Sequence, residues 1–354
     1  MTAAHFLFAR LALIPLALAA CAVPNGGGEA GPQWATLDGE APLVIAHRGA
    51  SGLLPEHTEA AYRLAFEQGA DVLEPDLMVS ADGVLIVRHD PYLSTSTDVA
   101  DRAEFAGRRA ERMGREDWWV MDFTAEELVT LHARQVFADR PQNRNDALPV
   151  MTFTGFLDMV AELEAECGCT IPVEPEIKLP AEHAAAGLDP LPILLDVLNA
   201  RDLNRADAPI VVQSFDAGFL RRLDAQSPVR LAMLYAGPDA PGYDADGLSL
   251  EDISVFADAV GPNKQVLFAG DGASSGYVED AHANGLVVHA WTVRDDRAPV
   301  VGETVEDELE ALYRLGVDGV FTDFPATAVA VRDRLADEPS RTDPRPAAGP
   351  LSRP

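Results

Sequence analysis

The feature that most constrains the fold is an alternation of short apolar runs with amphipathic helical patterns from residue 43 onward. Each run is rich in Val, Ile and Leu. The eight runs cover residues 43–46, 72–76, 171–177, 210–214, 230–235, 257–260, 286–293 and 319–322. The clearest helical patterns between them cover residues 56–68, 153–166 behind a Thr152 cap, 190–200 and 305–315. Eight β/α units predict a TIM (β/α)8 barrel, with a doubly wound open sheet as the alternative.

A ninth run, residues 84–88, follows the second run too closely for a helical crossover. It is therefore expected to return antiparallel, through the turn Ala81-Asp82-Gly83. With Asp82-Gly83 as a two-residue loop, His89 would lie opposite Asp76. Side-chain alternation then places Glu74 on the same face as both. The sequence predicts two carboxylates and an imidazole at the carboxyl end of a barrel strand, where such barrels keep their chemistry.

Outside the β/α pattern, four segments are assigned by composition. Residues 1–20 read as a lipoprotein signal peptide, ending in Leu18-Ala19-Ala20-Cys21, which resembles a bacterial lipobox. Cys21 would then carry the lipid, although a plain signal peptide with an incidental cysteine is the alternative. Residues 21–42 are expected to form a flexible tether, 43–336 the barrel with an insertion at about 91–150, and 337–354 a disordered tail. An exported protein, lipid-anchored at the cell envelope in the periplasm or on the outer surface, is the resulting prediction.

The net charge limits the possible binding partners, and the number of cysteines limits the possible disulfides. A formal net charge of −30 argues against binding nucleic acid or adsorbing to an anionic membrane, which leaves the lipid anchor as the only membrane contact. The other two cysteines, Cys167 and Cys169, are separated by one residue, so two free thiols and a labile bridge are both open. The oligomeric state is not fixed by the sequence.

Two further strand ends carry titratable side chains. The first run leads into His47-Arg48-Gly49, which places an imidazole and a permanent cation at the barrel rim. A lone histidine in this position is more often structural. The third run leads through Glu174-Pro175-Glu176-Ile177-Lys178, where alternation aims Glu174, Glu176 and Lys178 to one side. An ion pair between Glu176 and Lys178, with no ligand, is the simpler interpretation.

The convergence of these groups favours a functional site. The carboxylates of Glu74, Asp76 and Glu176 would form an oxygen cage suited to Ca²⁺ or Mg²⁺ rather than Zn²⁺. Such a cation would neutralise a phosphate oxygen, while His47 and His89 divide the proton transfers. Fixed positive charge would come from Arg48 and Lys178. This set of groups suits cleavage of a phosphodiester.

A resemblance to a known enzyme family rests on eight short stretches that run in order from residue 44 to residue 325. They are His47-Arg48-Gly49-Ala50-Ser51-Gly52, Leu54-Pro55-Glu56-His57-Thr58, Glu74-Pro75-Asp76, His89-Asp90, Pro175-Glu176-Ile177-Lys178, Gln213-Ser214-Phe215-Asp216, Trp291-Thr292-Val293 and Thr322-Asp323-Phe324-Pro325. These stretches closely resemble the glycerophosphodiester phosphodiesterase family, particularly its exported bacterial glycerophosphoryl diester branch.

The resemblance implies His47 and His89 as catalytic acid and base, Glu74, Asp76 and Glu176 as metal ligands, and Arg48 and Lys178 as phosphate contacts. It also implies attack by the neighbouring glycerol hydroxyl, a cyclic phosphate that water opens, and small glycerophosphodiester substrates yielding glycerol 3-phosphate and an alcohol. One divalent cation is expected, with Ca²⁺ favoured over Mg²⁺ because the exported branch typically uses it.

Other aromatic and imidazole side chains carry weaker expectations. Trp291 is a candidate to pack against the glycerol carbons, with an ordinary core aromatic as an equal alternative. His57 is not expected to be catalytic. Surface or core roles are expected for the remaining histidines of the barrel and its insertion, which are His132, His183, His282 and His289.

Two other functions stay open at this point. One is a phospholipase D-like enzyme that acts on intact membrane lipids, which would need an exposed apolar or basic rim for docking. The other is a surface lipoprotein that binds a partner and has only vestigial catalysis. The complete set of matched site residues argues against the second.

Overall fold

The computed structural model describes residues 34–240 and 242–338, and these form twelve strands and ten α-helices. The strands are β1 (Leu43–His47), β2 (Val72–Glu74), β3 (Asp76–Val79), β4 (Leu85–Val87), β5 (Ala110–Arg112), β6 (Arg115–Asp117), β7 (Glu176–Ile177), β8 (Val211–Ser214), β9 (Arg230–Tyr235), β10 (Ala259–Pro262), β11 (Val287–Val293) and β12 (Gly319–Thr322). The helices are α1 (Glu59–Glu67), α2 (Ala125–Leu128), α3 (Phe153–Cys167), α4 (Pro180–Ala185), α5 (Pro190–Ala200), α6 (Ala217–Asp224), α7 (Leu250–Ile253), α8 (Tyr277–Ala283), α9 (Val305–Leu315) and α10 (Pro325–Ala336).

The main sheet is the wall of a closed barrel. Its strand order is β2-β1-β12-β11-β10-β9-β8-β7-β3-β4. Strands β2 and β3 are two halves of one strand, separated at Pro75, which has no N–H to donate to the ladder. A parallel bridge between Leu73 and Val173 joins this strand to the segment leading into β7, so the circle closes. All eight predicted runs lie in the wall, and the predicted TIM (β/α)8 barrel is confirmed.

Local capping explains where the outer helices begin. Thr152 accepts a hydrogen bond from the Gly155 N–H, and helix α3 starts at the next residue, as predicted. Helix α9 begins behind Thr304 with a complete capping box. The predicted helix 56–68 starts later, at Glu59, because the side chain of Thr58 caps it. These caps fix the βα loops from which the site is built.

The register predicted for the hairpin between β3 and β4 is wrong by one residue. The observed pairs are Leu77–Val87, Met78–Ile86 and Val79–Leu85. The loop has three residues, with Gly83 in the left-handed region at φ 78° and the Asp82 carboxylate accepting from the Ser80 hydroxyl.

The consequence is that Arg88, not His89, lies opposite Asp76, and its N–H donates to the Asp76 carbonyl. Arg88 is fully buried beneath the insertion. Since β4 ends at Val87, the position of His89 is set by the loop that follows and not by the strand ladder.

Residues 91–150 form the additional layer that lies over this hairpin. Their apolar side chains, including Leu93, Phe123 and Leu131, pack with Met78 and Ile86 in a cluster separate from the main core. Further along the insertion, the buried side chain of Arg140 donates to the Ser51 carbonyl and to Asp323 at the barrel rim. The insertion is therefore anchored to the same end of the barrel that carries the predicted site.

The segments outside the barrel have mixed outcomes. The predicted signal peptide and Cys21 lie outside the described residues, as do residues 339–354 of the predicted tail. The predicted tether is too long, because residues 34–42 pack on the barrel: Trp34 contacts the ring of Tyr313, and the Leu37 N–H donates to Asp318.

Cys167 and Cys169 form a disulfide, which decides the choice that the sequence left open. Within the described ranges, no helix is long and apolar enough to cross a bilayer.

Candidate active site

The predicted site residues gather around one cavity at the carboxyl ends of the barrel strands. The cavity has a volume of about 550 Å³. Its lining includes the predicted residues His47, Arg48, Glu74, His89, Glu176, Lys178 and Trp291. Asp76 is 1% exposed and contacts the side chain of Arg48. The structure therefore brings together every predicted site residue within its described ranges.

Strand register places the three carboxylates side by side. Asp76 and Glu176 are direct partners in the parallel pair β3–β7, so their side chains point to the same face. Glu74 lies two residues before Asp76 along the same interrupted strand. One carboxylate oxygen from each of the three lies within 4.8 Å of the others, and all three residues are buried.

Burial and neighbouring charges shift the pKa values of all three carboxyl groups. Burial and the neighbouring Asp76 charge raise the pKa of Glu74 well above its usual range. Burial also raises the pKa of Glu176 to about 8, although Lys178 opposes the shift. Burial has the same tendency at Asp76, but Arg48 and Lys178 outweigh it and hold that pKa well below its usual range.

A divalent cation fits this donor set. Three carboxylates supply hard oxygen ligands, and Asp76 Oδ1 is buried without a hydrogen-bond partner. A buried acceptor that no donor satisfies is costly, and a cation would satisfy it. In the part of the chain that the structure describes, no other group of three His, Cys, Asp or Glu side chains is arranged to hold a metal.

Two positively charged side chains, Arg48 and Lys178, lie beside the carboxylates. Arg48 Nε lies 3.0 Å from Asp76 Oδ2, and its Nη1 lies 2.9 Å from Glu56. The backbone of Arg48 has φ 62°, and its N–H donates to Glu74, so a strained turn holds the guanidinium at the rim. Lys178 Nζ lies 2.8 Å from Glu176. The ion pair between Glu176 and Lys178 is thus present, and it forms part of the carboxylate cluster.

Each of the two predicted catalytic histidines is held by a carboxylate through Nδ1. His47 Nδ1 lies 2.6 Å from Asp323 Oδ1, and His89 Nδ1 lies 2.7 Å from Asp90 Oδ1. Thr95 donates to the other oxygen of Asp90. A carboxylate at Nδ1 fixes the tautomer and leaves Nε2 as the free nitrogen of each ring.

Burial lowers the pKa of both imidazoles. For His47 the value is about 4, with Arg48 adding to the effect of burial and Asp323 opposing it. For His89 it is also about 4, because burial and the charges of Arg48 and Lys178 outweigh Asp76 and Asp90. Both rings are therefore neutral at neutral pH in the cation-free and substrate-free site, so each Nε2 is a hydrogen-bond acceptor.

The two orienting carboxylates were missed by sequence reasoning. Asp323 follows β12, whose residue Thr322 is the register partner of Ala46, so Asp323 lies beside His47. Its second oxygen accepts from Arg140 and Arg294. Both aspartates stand in stretches that carry the family resemblance, and that position is the signal that could have identified them.

Other predicted side chains surround this centre. His57 is buried, with Nε2 2.9 Å from Asp76 Oδ2 and Nδ1 2.8 Å from the Tyr62 hydroxyl, so it supports a candidate ligand from behind. Trp291 lines the cavity, and its Nε1 donates to the Gly261 carbonyl. The Phe215 ring packs edge-to-face against Trp291.

The four remaining histidines of the barrel and its insertion have contacts outside the carboxylate cluster. His132 pairs with Asp98, His282 with Asp318 and the buried His289 with Glu174. His183 is buried against Met78.

Comparison with known proteins gives a consistent result. The model of the glycerophosphoryl diester phosphodiesterase family matches residues 47–327. A glycerophosphodiester phosphodiesterase of Haemophilus influenzae is 30% identical over 327 residues, covering 81% of this chain and 88% of that protein. One from Treponema pallidum is 29% identical over 330 residues, covering 81% and 90%.

Solved structures agree on the fold. A phosphodiesterase of Oleispira antarctica, in complex with the product sn-glycerol-3-phosphate, aligns with a TM-score of 0.60 and 22% identity, covering 84% of this chain and 99% of that one. A glycerophosphodiester phosphodiesterase from Agrobacterium tumefaciens aligns with a TM-score of 0.54 and 23% identity, covering 82% and 99%.

Proposed function

The chain belongs to the glycerophosphoryl diester phosphodiesterase family, and we propose that it hydrolyses small glycerophosphodiesters to glycerol 3-phosphate and an alcohol with the help of one divalent cation. The observation that carries this proposal is the buried cluster of Glu74, Asp76 and Glu176 in the same cavity as His47 and His89. Each of these histidines has one nitrogen held by a carboxylate and the other free for proton transfer. The printed names of the relatives and the family match support the same reaction.

The proposed chemistry divides proton transfer between the two histidines. One neutral imidazole takes the proton of the glycerol hydroxyl next to the phosphate, and that oxygen attacks phosphorus. The other ring gives a proton to the departing alkoxide, which leaves a cyclic phosphate; the negative charge of the bound phosphate beside this ring would favour the protonated form that the step needs. In the second half-reaction the two rings exchange roles while water opens the cyclic phosphate. Asp323 and Asp90 hold the rings in orientation through both steps.

Other groups in the cavity would neutralise the negative charge of the phosphate. A bound cation would neutralise a non-bridging phosphate oxygen. Arg48 and Lys178 supply fixed positive charge beside the carboxylates, and Trp291 offers an apolar face for the glycerol carbons. We propose Ca²⁺ rather than Mg²⁺, because Mg²⁺ sites usually contain one or two protein carboxylates whereas Ca²⁺ accepts a larger set of oxygen ligands.

The proposal is tested by measuring glycerol 3-phosphate release from a series of headgroups by the chain after chelation and after addition of Ca²⁺ or Mg²⁺. Turnover that disappears on chelation and returns with one cation supports the proposal. A diacylated lipid in the same series tests action on intact lipids. It lacks the free hydroxyl needed for cyclisation, and only its cleavage would favour a phospholipase D-like enzyme. Failure with every headgroup and cation would favour the binding-lipoprotein alternative.

The pKa of Glu176 leads to a prediction about pH. In the cation-free chain this pKa is about 8, so the Glu176 carboxyl holds a proton at about pH 7, and the pKa of Glu74 is shifted in the same direction. Cation binding requires the ionised forms and should therefore release protons. Because the protons compete with the cation, its apparent affinity is expected to increase as the pH rises toward about 8 and to level off above that value.

The measurement is calorimetry in two buffers of different ionisation enthalpy. At about pH 6.5 we expect release of about one proton or more for each cation bound, and at about pH 9 a smaller release. An affinity that does not depend on pH, with no proton release, would contradict the placement of the cation among these carboxylates.

A further inference from the structure

Beside the proposed metal ligands, Gln213 has a buried acceptor that no donor satisfies. The residue is 1% exposed and lines the cavity. Its Oε1 has no hydrogen-bond partner. Leaving an amide oxygen buried and unpaired is energetically costly, so a ligand that uses it is the expected explanation.

The register of the barrel wall places Gln213 in line with two of the carboxylates. Asp76 is the partner of Glu176 across β3–β7, and Glu176 is the partner of Gln213 across β7–β8. Partners in neighbouring parallel strands point to the same face of the sheet. Three oxygen-bearing side chains therefore form one row across three strands, on the inner face of the barrel.

The hydrogen bonds of the Gln213 amide nitrogen determine which amide atom has no partner. Gln213 Nε2 donates to the Glu174 carbonyl at 3.1 Å and lies 3.3 Å from Glu74 Oε1. With the nitrogen held by two acceptors, Oε1 is the atom without a partner.

The position of Oε1 is compatible with a shared cation. An amide's nitrogen and oxygen lie about 2.2 Å apart, which puts Oε1 within about 5.5 Å of Glu74 Oε1. Two oxygen ligands of one Ca²⁺ lie up to about 5 Å from each other.

We propose that Gln213 is a fourth protein ligand of the divalent cation and binds it through its amide oxygen. This inference rests on the cation site proposed above. In their ionised, cation-binding forms the three carboxylates carry a charge of −3, so a neutral oxygen adds a ligand without adding repulsion. Amide carbonyls are ordinary ligands of Ca²⁺, which takes about six to eight oxygens. The same contact satisfies the buried atom that otherwise has no partner.

The test compares Gln213→Leu with Gln135→Leu in the full chain, stripped of metal. Gln135 is a matched control, since it is also buried and its amide nitrogen donates to the Ser51 and Leu54 carbonyls away from the carboxylates. Calorimetry with Ca²⁺ measures the affinity. The luminescence lifetime of bound Tb³⁺ in H₂O and in D₂O counts the water molecules on the ion. Gln213→Glu keeps an oxygen donor in the same place.

We expect Gln213→Leu to weaken Ca²⁺ binding about 10- to 100-fold and to add about one water to Tb³⁺, while Gln135→Leu changes neither quantity. Gln213→Glu should keep the wild-type number of waters. A weaker affinity with unchanged hydration would mean that Gln213 acts only through Glu74, and it would overturn the proposal. Wild-type affinity and hydration in Gln213→Leu would overturn it as well. A wild-type chain that binds no cation would instead refute the metal site itself.

Discussion

Replacing Glu176 by Gln is expected to lower kcat/KM for glycerophosphocholine by about 1,000-fold or more, whichever divalent cation is supplied. The substitution keeps the shape of the side chain but removes one of three charges that would hold the cation. Loss of a Lewis acid removes several kcal/mol of transition-state stabilisation, because the developing phosphate charge is no longer neutralised. A 1,000-fold decrease in kcat/KM corresponds to about 4 kcal/mol. A cation that binds the folded chain should also raise its Tm, and this rise should disappear in the same variant.

A matched control separates this effect from damage to the barrel. Glu174 precedes Glu176 by two residues and is also buried, but its carboxylate contacts His289 instead of the cluster. Glu174→Gln keeps an acceptor for that imidazole and should keep the cation-dependent rise in Tm. A Glu176→Gln chain that retains wild-type turnover and cation affinity would show that the carboxylate cluster is not the metal site.

Removing either imidazole is expected to produce the second large effect. His47→Ala and His89→Ala should each lower kcat for glycerophosphocholine by about 100- to 10,000-fold, since each ring serves one proton transfer in each half-reaction. His132→Ala is the control, because that histidine lies in the insertion and pairs with Asp98. Two alanine variants that both keep near wild-type turnover would exclude the exchange of acid and base roles.

A diester with a weakly basic leaving group distinguishes the two roles. p-Nitrophenolate departs without a proton, so the variant that lacks the first-step acid should release it at a near wild-type rate. The same variant lacks the base of the second step and should therefore accumulate the cyclic phosphate. The other variant should be slow with both substrates. If neither variant is rescued, the two histidines do not divide the proton transfers as proposed.

The architecture could be predicted from the sequence because the regular repeat of apolar runs and helical patterns is enough to indicate a barrel. Eight apolar runs separated by helical patterns fix the order of the strands, and a register error in one hairpin does not change that order. The error at His89 came from the loop, since Asp82-Gly83 also fits a three-residue turn closed by Ser80. Its effect on the site was small, because His89 lies beyond the end of β4 and the following loop positions it.

The convergence of the site residues was predictable, but their partners were not. Glu74, Asp76 and Glu176 stand at strand ends, and parallel strands bring such ends together. The contact between Asp323 and His47 joins residues 276 positions apart. It depends on β1 and β12 being neighbours in the closed circle, which no local pattern shows.

Arg140 lies in the insertion, where the absence of a β/α period left the course of the chain undetermined. The packing of residues 34–42 on the barrel was missed for a related reason, since their composition resembles that of a linker although Trp34 and Leu37 make specific contacts.

The most direct test of the central claim is a ³¹P NMR time course of glycerophosphocholine with the chain and the activating cation. The account predicts that the diester signal is replaced by that of glycerol 3-phosphate with release of free choline, and that a chelator stops the change. Phosphocholine and glycerol as the products would contradict it, because the bond on the other side of phosphorus would then have been cleaved. A diester signal that does not change with Ca²⁺ or Mg²⁺ would contradict the proposed function as a whole.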